Sequence, residues 1–294
     1  MKCKMETSFF SDLMFKISIT FVFLVSLILP CIVGNNNLVS YDHLLPEKVS
    51  TCVKSTGSTS MSHVLSILSD EFMLRNEGFT YEKSESGSGA APMMVSSGGS
   101  DLGDMSRDLY ESEQKDFLVR KCIALDGIVV VLNNENKIRD LSKDTLKDIF
   151  TKKIVDWSQV SDDFNGKIVT IGREDGSGTK SGFEKCLDLK NVNYDLILSE
   201  SGDISAKISN EPRAIGYISL ASVFGKIHDI SIDSVYCTLE NIKNGSYLLT
   251  RPFIQIYDKN VKNEARDKWM QFLKSDCAKE LVEKEKLVYV FEEN

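Results

Sequence analysis

The chain has no excess of basic charge. Its 35 Lys and Arg stand against 43 Asp and Glu, a net charge of −8 over 294 residues. Nucleic acid and anionic membrane surfaces are recruited by a basic footprint, so neither is expected as the main partner. It also has little metal-binding chemistry. The three histidines, His43, His63 and His228, do not lie at zinc-ligand spacing from any cysteine, and there is no Cys-x-x-Cys pair. No metal and no cofactor is expected. A Gly-x-Ser-x-Gly nucleophile elbow is missing too. The stretch 172–181 superficially resembles a P-loop, but Thr179 separates Gly178 from Lys180 and the spacing fails. With no nucleophile, base or metal cluster, no catalytic residue is assigned and the chain is not expected to be an enzyme. There is no internal repeat and no long linker.

One long apolar run is present, and it lies at the N-terminus. Residues 17–33 are almost wholly apolar, with Lys16 before them and Gly34 after. A spanning helix wants about 20 apolar residues, so the length and flanks point to a secretory signal over residues 1–34. A retained N-terminal anchor is the competing reading. Cys31 raises lipidation, but Pro30 precedes it where such signals carry a small residue. Either way the body of the protein is expected to be exported: periplasmic, cell-surface or secreted. Beyond that segment stand Cys52, Cys122, Cys186, Cys237 and Cys277, an odd number in a compartment that permits disulfides. The expectation is buried, inert thiols. About 260 residues remain, enough for two compact lobes.

Glycine and small hydroxyl residues are not scarce, and they cluster. Residues 48–54 read as a strand leading into Gly57-Ser58-Thr59-Ser60, behind which Met61, Val64, Leu65, Leu68 and Phe72 fall on one helical face. Residues 79–83 are strand-like and lead into Ser86-Gly87-Ser88-Gly89-Ala90, opening a short helix. Residues 167–171 form a third strand, followed by Gly172-Arg173-Glu174-Asp175-Gly176-Ser177-Gly178-Thr179 and a helix marked by Phe183, Cys186 and Leu187. Strands alternating with helices predict an α/β protein with largely parallel sheets, whose ligands bind beyond the carboxyl ends of the strands. Each turn offers unpaired backbone N–H groups, hydroxyl donors and the positive end of a helix dipole. Three such turns, one carrying an arginine, point to capture of a small oxyanion. Further strands are expected at 124–132, 215–219 and 253–257, a helix from Ser142 through Phe150, and two closing helices over 261–284. Trp157 and Phe150 read as packing residues, and Asn244-Gly245-Ser246 as a turn.

On these residues the chain resembles the phosphate-binding proteins of Pst-type ABC transporters. The most specific segment is Val169 through Thr179. Gly57-Ser58-Thr59-Ser60, Ser86-Gly87-Ser88-Gly89-Ala90, Met105-Ser106-Arg107, Leu125-Asp126-Gly127-Ile128-Val129-Val130, Asp148-Ile149-Phe150, Ala214 through Leu220 and Asn244-Gly245-Ser246-Tyr247 support it in order. The resemblance implies a type II periplasmic-binding-protein fold: two α/β lobes, a hinge and an interlobe ligand cleft. By analogy lobe 1 is residues 47–130, lobe 2 is 131–246, and 247–294 return to lobe 1. The implied phosphate contacts are Ser58, Thr59, Ser60, Ser88, Arg107, Arg173, Ser177, Gly178 and Thr179, with Asp175 holding Arg173. The implied partners are inorganic phosphate and, in a bacterial source, the membrane permease of the transporter; a monomer is expected. Alternatives are another oxyanion such as sulfate or molybdate, or a phosphate-sensing or adhesion module without a transporter. Some members of the family carry an aspartate where this chain has Arg107. That aspartate accepts the phosphate proton, so a substitute acceptor is needed, and Asp104 and Glu85 lie nearest in sequence.

Overall fold

The computed structural model describes residues 51–190 and 192–291. The expected signal segment lies outside them. Among the described residues no helix is long and apolar enough to cross a membrane.

The chain opens with β1 (Cys52–Gly57), a short 3-10 turn (Thr59–Met61), α1 (Ser62–Arg75), β2 (Thr80–Glu85), α2 (Ala91–Ser96) and β3 (Leu102–Met105). β1 pairs in parallel with both β2 and β3. This is the alternation of strand and helix that the sequence predicts, and it puts the Gly57 and Ser86–Ala90 turns at one end of the sheet. Then comes β4 (Leu118–Asn133), sixteen residues long, where the apolar run suggests only its second half. Its partner changes midway. Residues Leu118–Gly127 pair antiparallel with β11 (Thr250–Asp258), whereas Ile128–Leu132 pair with β8 (Ala214–Ser219).

Past that change the chain adds β5 (Asp140–Leu141), α3 (Lys143–Phe150), β6 (Val169–Arg173), α4 (Gly178–Cys186), β7 (Leu196–Leu198) and α5 (Ser201–Ser209). Ser142 caps α3 by accepting from the Thr145 amide, as its position predicts. β6 pairs in parallel with β7 and β8. β9 (Ile227–Asp229) pairs with β4, and β10 (Ser231–Ile232) with β5. After α6 (Leu239–Lys243) the chain returns along β11, packs α7 (Glu264–Leu273) and α8 (Asp276–Lys284), and ends on β12 (Val288–Tyr289) against β4.

Two main cores follow from this pairing. Val53, Leu65, Leu68, Phe72, Phe253 and Trp269 are buried together on one side. Ile128 to Leu132, Phe150, Trp157, Ile171, Phe183 and Tyr217 are buried together on the other. Trp157 donates its indole N–H to the Arg213 carbonyl at 2.9 Å, and neither it nor Phe150 has measurable exposure. The two bodies are joined where β4 passes from one sheet to the other and where β11 begins. There Ile128 N donates to the Leu249 carbonyl and the Tyr247 hydroxyl to the Ile128 carbonyl, both at 2.8 Å. Two crossing segments tied this closely make a hinge.

Candidate functional site

Three chain turns converge between the lobes. The first follows β1. Gly57 adopts a positive φ of 149°, and a Cβ there would lie 2.0 Å from the Asp104 carbonyl oxygen, so only glycine lets β1 run this close to β3. The next amide, Ser58 N, donates to that same carbonyl at 2.8 Å. The Ser58 hydroxyl is thereby aimed at Ser106, which follows β3, and donates to its Oγ at 2.9 Å. The second turn supplies Ser88. Its Oγ accepts the Ser106 amide at 3.0 Å and lies 3.3 Å from the Ser106 hydroxyl. Ser58, Ser88 and Ser106 thus form one buried knot of hydroxyls in lobe 1.

The third turn brings lobe 2 onto this knot. Ser177 caps α4, and the first residue of that helix, Gly178, packs directly on the lobe 1 hydroxyls. A Cβ built there would meet Ser106 Oγ at 2.3 Å and Ser88 Oγ at 2.5 Å. Further contacts cross the cleft. Gly89 N donates to the Gly176 carbonyl at 3.0 Å, Ser60 Oγ meets Thr179 Oγ1 at 2.8 Å, and the Tyr110 hydroxyl donates to Ser181 Oγ at 2.8 Å. The lobes are therefore closed on one another, with the unpaired amides and positive dipole end of a helix facing a cluster of hydroxyls.

Arg173 ends β6 and is 1% exposed. Its Nη2 donates to Thr59 Oγ1 at 3.0 Å across the cleft and to the Ser199 carbonyl at 2.6 Å. Its Nε and Nη2 reach the two Glu174 carboxylate oxygens at 3.0 and 3.1 Å. Only Nη1 is lightly engaged, 3.5 Å from Ser201 Oγ. The ring of Phe183 stacks on Tyr217 at 3.9 Å, fixing α4 against β8 beside this strand end.

Two sequence expectations are corrected here, for Asp175 and for the proton acceptors, and the placement of Arg107 is sharpened. Asp175 does not hold Arg173: it pairs with Lys180 at 2.5 Å and its side chain is 97% exposed, while Glu174 holds the arginine. Of the two adjacent carboxylates, Glu174 is the one whose oxygens reach Arg173. Arg107 does not bring its Nη groups to the hydroxyl knot. Both donate to Glu113 at 2.7 Å, one also to the Asp108 carbonyl, and the guanidinium lies 3.9 Å over the Tyr110 ring, while its buried Nε has no hydrogen-bond partner among the described residues. Neither proposed proton acceptor faces the knot. The buried Asp104 carboxylate accepts from Ser55 Oγ and Gln255 Nε2 inside lobe 1, and burial pushes its carboxyl up to about 6. Glu85 is a half-exposed partner of Lys83 and Ser62.

Sequence reasoning also missed members of the site. Ser106 stood in a quoted segment without a role. Arg251 and Asp126 had none either, yet both are buried at the hinge. Arg251 Nε and Nη2 donate to Asp126 Oδ2 at 2.9 and 2.7 Å, and Nη1 donates to Thr179 Oγ1 at 2.8 Å. Their only sequence signal would have been the pairing of β4 with β11, in which Arg251 stands opposite Asp126. Each buried arginine arrives with its own carboxylate, so the cleft offers directed N–H and O–H donors without a large uncompensated charge. Among the described residues no group of three His, Cys, Asp or Glu side chains could hold a metal ion. Such a set can strip and replace the hydration shell of a small anion.

Two α/β lobes, two crossing segments and a donor-lined cleft define the bilobal binding-protein class, of type II topology. The chain belongs to the PBP superfamily, whose domain model matches residues 45–276. It is 29% identical over 234 residues to the phosphate-binding protein PstS of Bacillus subtilis, covering 78% of this chain and 77% of the relative. Among solved structures it is similar to a chain from Clostridium perfringens assigned as a phosphate ABC transporter substrate-binding protein with bound phosphate. The TM-score there is 0.78 at 32% identity, over 81% of this chain and 99% of the other. An ABC-type phosphate transport receptor from Vibrio cholerae matches at TM-score 0.69 and 27% identity, over 81% and 100% of the two chains.

Proposed function

We propose that this chain captures inorganic phosphate between its lobes and delivers it to the membrane permease of an ABC importer, as an exported, monomeric binding protein without catalytic activity. The observation that carries this reading is the seating of the α4 N-terminus, Ser177–Thr179, on the hydroxyls of Ser58, Ser60, Ser88 and Ser106. Hydroxyls, helix amides and a buried guanidinium gathered from both lobes in one buried place have little use except around an anion. The likeness to phosphate-binding relatives in Bacillus subtilis, Clostridium perfringens and Vibrio cholerae favours phosphate as that anion.

The contacts are Ser58, Thr59, Ser60, Ser88, Ser106, Arg173, Ser177, Gly178 and Thr179. Arg173 offers Nη1, its least engaged donor, while Glu174 holds the guanidinium in place. Lobe 1 comprises the described chain from residue 51 to Gly127 together with the return along β11, and lobe 2 the segment between, the division being the point at which β4 changes partner. Phosphate entering an open cleft draws the lobes together, because donors from both are needed to replace its water.

Calorimetry on protein stripped of bound anion tests this. Phosphate is expected to bind at neutral pH with micromolar or tighter affinity, and a parallel titration with sulfate separates the two anions. Arg173→Ala is expected to abolish measurable binding. Absence of heat with phosphate in the folded native chain would overturn the function; unchanged affinity in the variant would overturn the site.

A further inference from the structure

Arg251 is the least expected member of the cleft. It is the second residue of β11, is 3% exposed, and sits where the two lobes are joined. Its guanidinium is divided between two tasks. Nε and Nη2 are committed to Asp126, which has no measurable exposure and takes the Ser219 hydroxyl on its other oxygen at 2.7 Å. Nη1 is committed to Thr179 Oγ1. An isolated buried arginine would be costly, and Asp126 offsets that cost. The pair is more than a hinge staple, because its third donor ends on a residue of the anion cleft.

The consequence follows from the valence of a hydroxyl. Thr179 has one hydrogen and two lone pairs. A guanidinium can only donate, so Thr179 must accept from Arg251, and its single hydrogen must point elsewhere. The other polar atom beside it is Ser60 Oγ, at 2.8 Å. If Thr179 donates to Ser60, Ser60 has its own hydrogen left to give; if Ser60 donates to the second lone pair of Thr179, Thr179 keeps its own. Either way the pair uses one hydroxyl hydrogen between its members and leaves one for a ligand, and Arg251 fixes the Thr179 end.

We propose that Arg251 is a positioning residue for anion capture, which holds the Thr179 hydroxyl by a lone pair so that, as the cleft closes, the Thr179–Ser60 pair presents one directed donor to the ligand. It rests on the phosphate reading and deepens it. The one hydrogen left on this face suits a deprotonated ligand oxygen. Pre-set donors also spare the reorganisation that freely rotating hydroxyls would undergo on binding.

A double-mutant cycle tests this by calorimetry with inorganic phosphate on stripped protein, with thermal melts as the fold control. Arg251→Lys keeps a cation for Asp126, but a single ammonium lacks the fork needed to hold Asp126 and Thr179 together. It is expected to weaken phosphate binding about tenfold or more, the loss of one charge-assisted hydrogen bond. In a Thr179→Val background the same substitution is expected to change affinity less than about twofold, since there is no hydroxyl left to order. In a Thr179→Ser background, which restores the hydroxyl, the about tenfold loss is expected to return. Native affinity in Arg251→Lys, or losses that simply multiply in the Val background, would overturn the role of Arg251 while leaving phosphate capture intact. No binding by the native chain would instead remove the phosphate reading and this one with it. Should Arg251→Lys fail to fold, Asp126→Asn with Arg251→Gln, a neutral pair at both positions, replaces it in the same cycle with the same expectations.

Discussion

The tightest contact in the cleft is the bare Cα of Gly178 against two serine hydroxyls, and adding one methyl group there separates binding from folding. An alanine Cβ at this position would lie 2.3 Å from Ser106 Oγ, 2.5 Å from Ser88 Oγ and 3.1 Å from the Ser106 carbonyl carbon. The first two contacts are shorter than a carbon can tolerate, and the two serines have no measurable exposure. Ser88 cannot turn away freely, because its Oγ accepts the Ser106 amide. Gly178→Ala must therefore either hold the lobes apart or expel hydroxyls from the knot. Either outcome removes at least two donors to a charged ligand, at about 1.5–3 kcal/mol each. Two such losses amount to roughly a hundredfold to ten-thousandfold in Kd. The fold has no reason to suffer. Gly178 begins a regular helix, where alanine is favoured over glycine by up to about 1 kcal/mol. The expected result is an unchanged or slightly raised melting temperature without ligand. Millimolar phosphate should raise the melting temperature of the native chain by linkage but not that of the variant. Calorimetry giving Gly178→Ala an affinity within about threefold of native would refute the packing argument.

Asp104 predicts a pH dependence in lobe 1. Its folded carboxyl is raised to about 6 by burial, with Ser55, Gln255 and the nearby Lys83 opposing. The folded state thus holds the proton more tightly than the unfolded state, so stability falls as pH rises from about 4 through about 6, by up to roughly 3 kcal/mol. Asp104→Asn should flatten that slope and melt above the native chain at pH 8; a native-like slope in the variant would refute the assignment. The carboxylate after Arg173 gives a simpler contrast. Glu174→Ala should weaken phosphate binding about tenfold by freeing the guanidinium, whereas Asp175→Ala, at a solvent-exposed pair, should stay within about twofold of native. The reverse order of effects would restore Asp175 as the partner of Arg173.

What could be read in the sequence was whatever the chain writes locally. A strand, a Gly/Ser/Thr turn and an amphipathic helix lie within about twenty residues of one another, so the turns at Ser58, Ser88 and Ser177 were legible, and with them the α/β class and the oxyanion chemistry. Direction is not written locally. Glu174 and Asp175 are adjacent carboxylates in one turn, and only the path of the backbone after β6 decides which of them meets Arg173. Arg107 sits one residue from a site hydroxyl, but Glu113 and Tyr110 draw its guanidinium into their own loop. α5 escaped notice because its apolar positions are few, and it is held by packing of Ile204 and Ile208 against the second core.

The hinge was the least legible part, and the reason bears on how the site works. Arg251 and Asp126 are 125 residues apart and meet only because β4 and β11 run antiparallel in one register. Thr179 joins them from a third element, so no spacing in the sequence marks the set. The same long-range dependence makes the row of donors an indicator of closure. Arg251 and Asp126 stay paired across adjacent strands whatever the lobes do, whereas Ser60 reaches Thr179 only when lobe 1 lies on lobe 2. The arginine therefore sets the Thr179 hydroxyl from within the hinge, and closing the cleft completes the row through Ser60. Binding and closure then share one set of hydrogen bonds, which is how a ligand of five heavy atoms can hold two domains together.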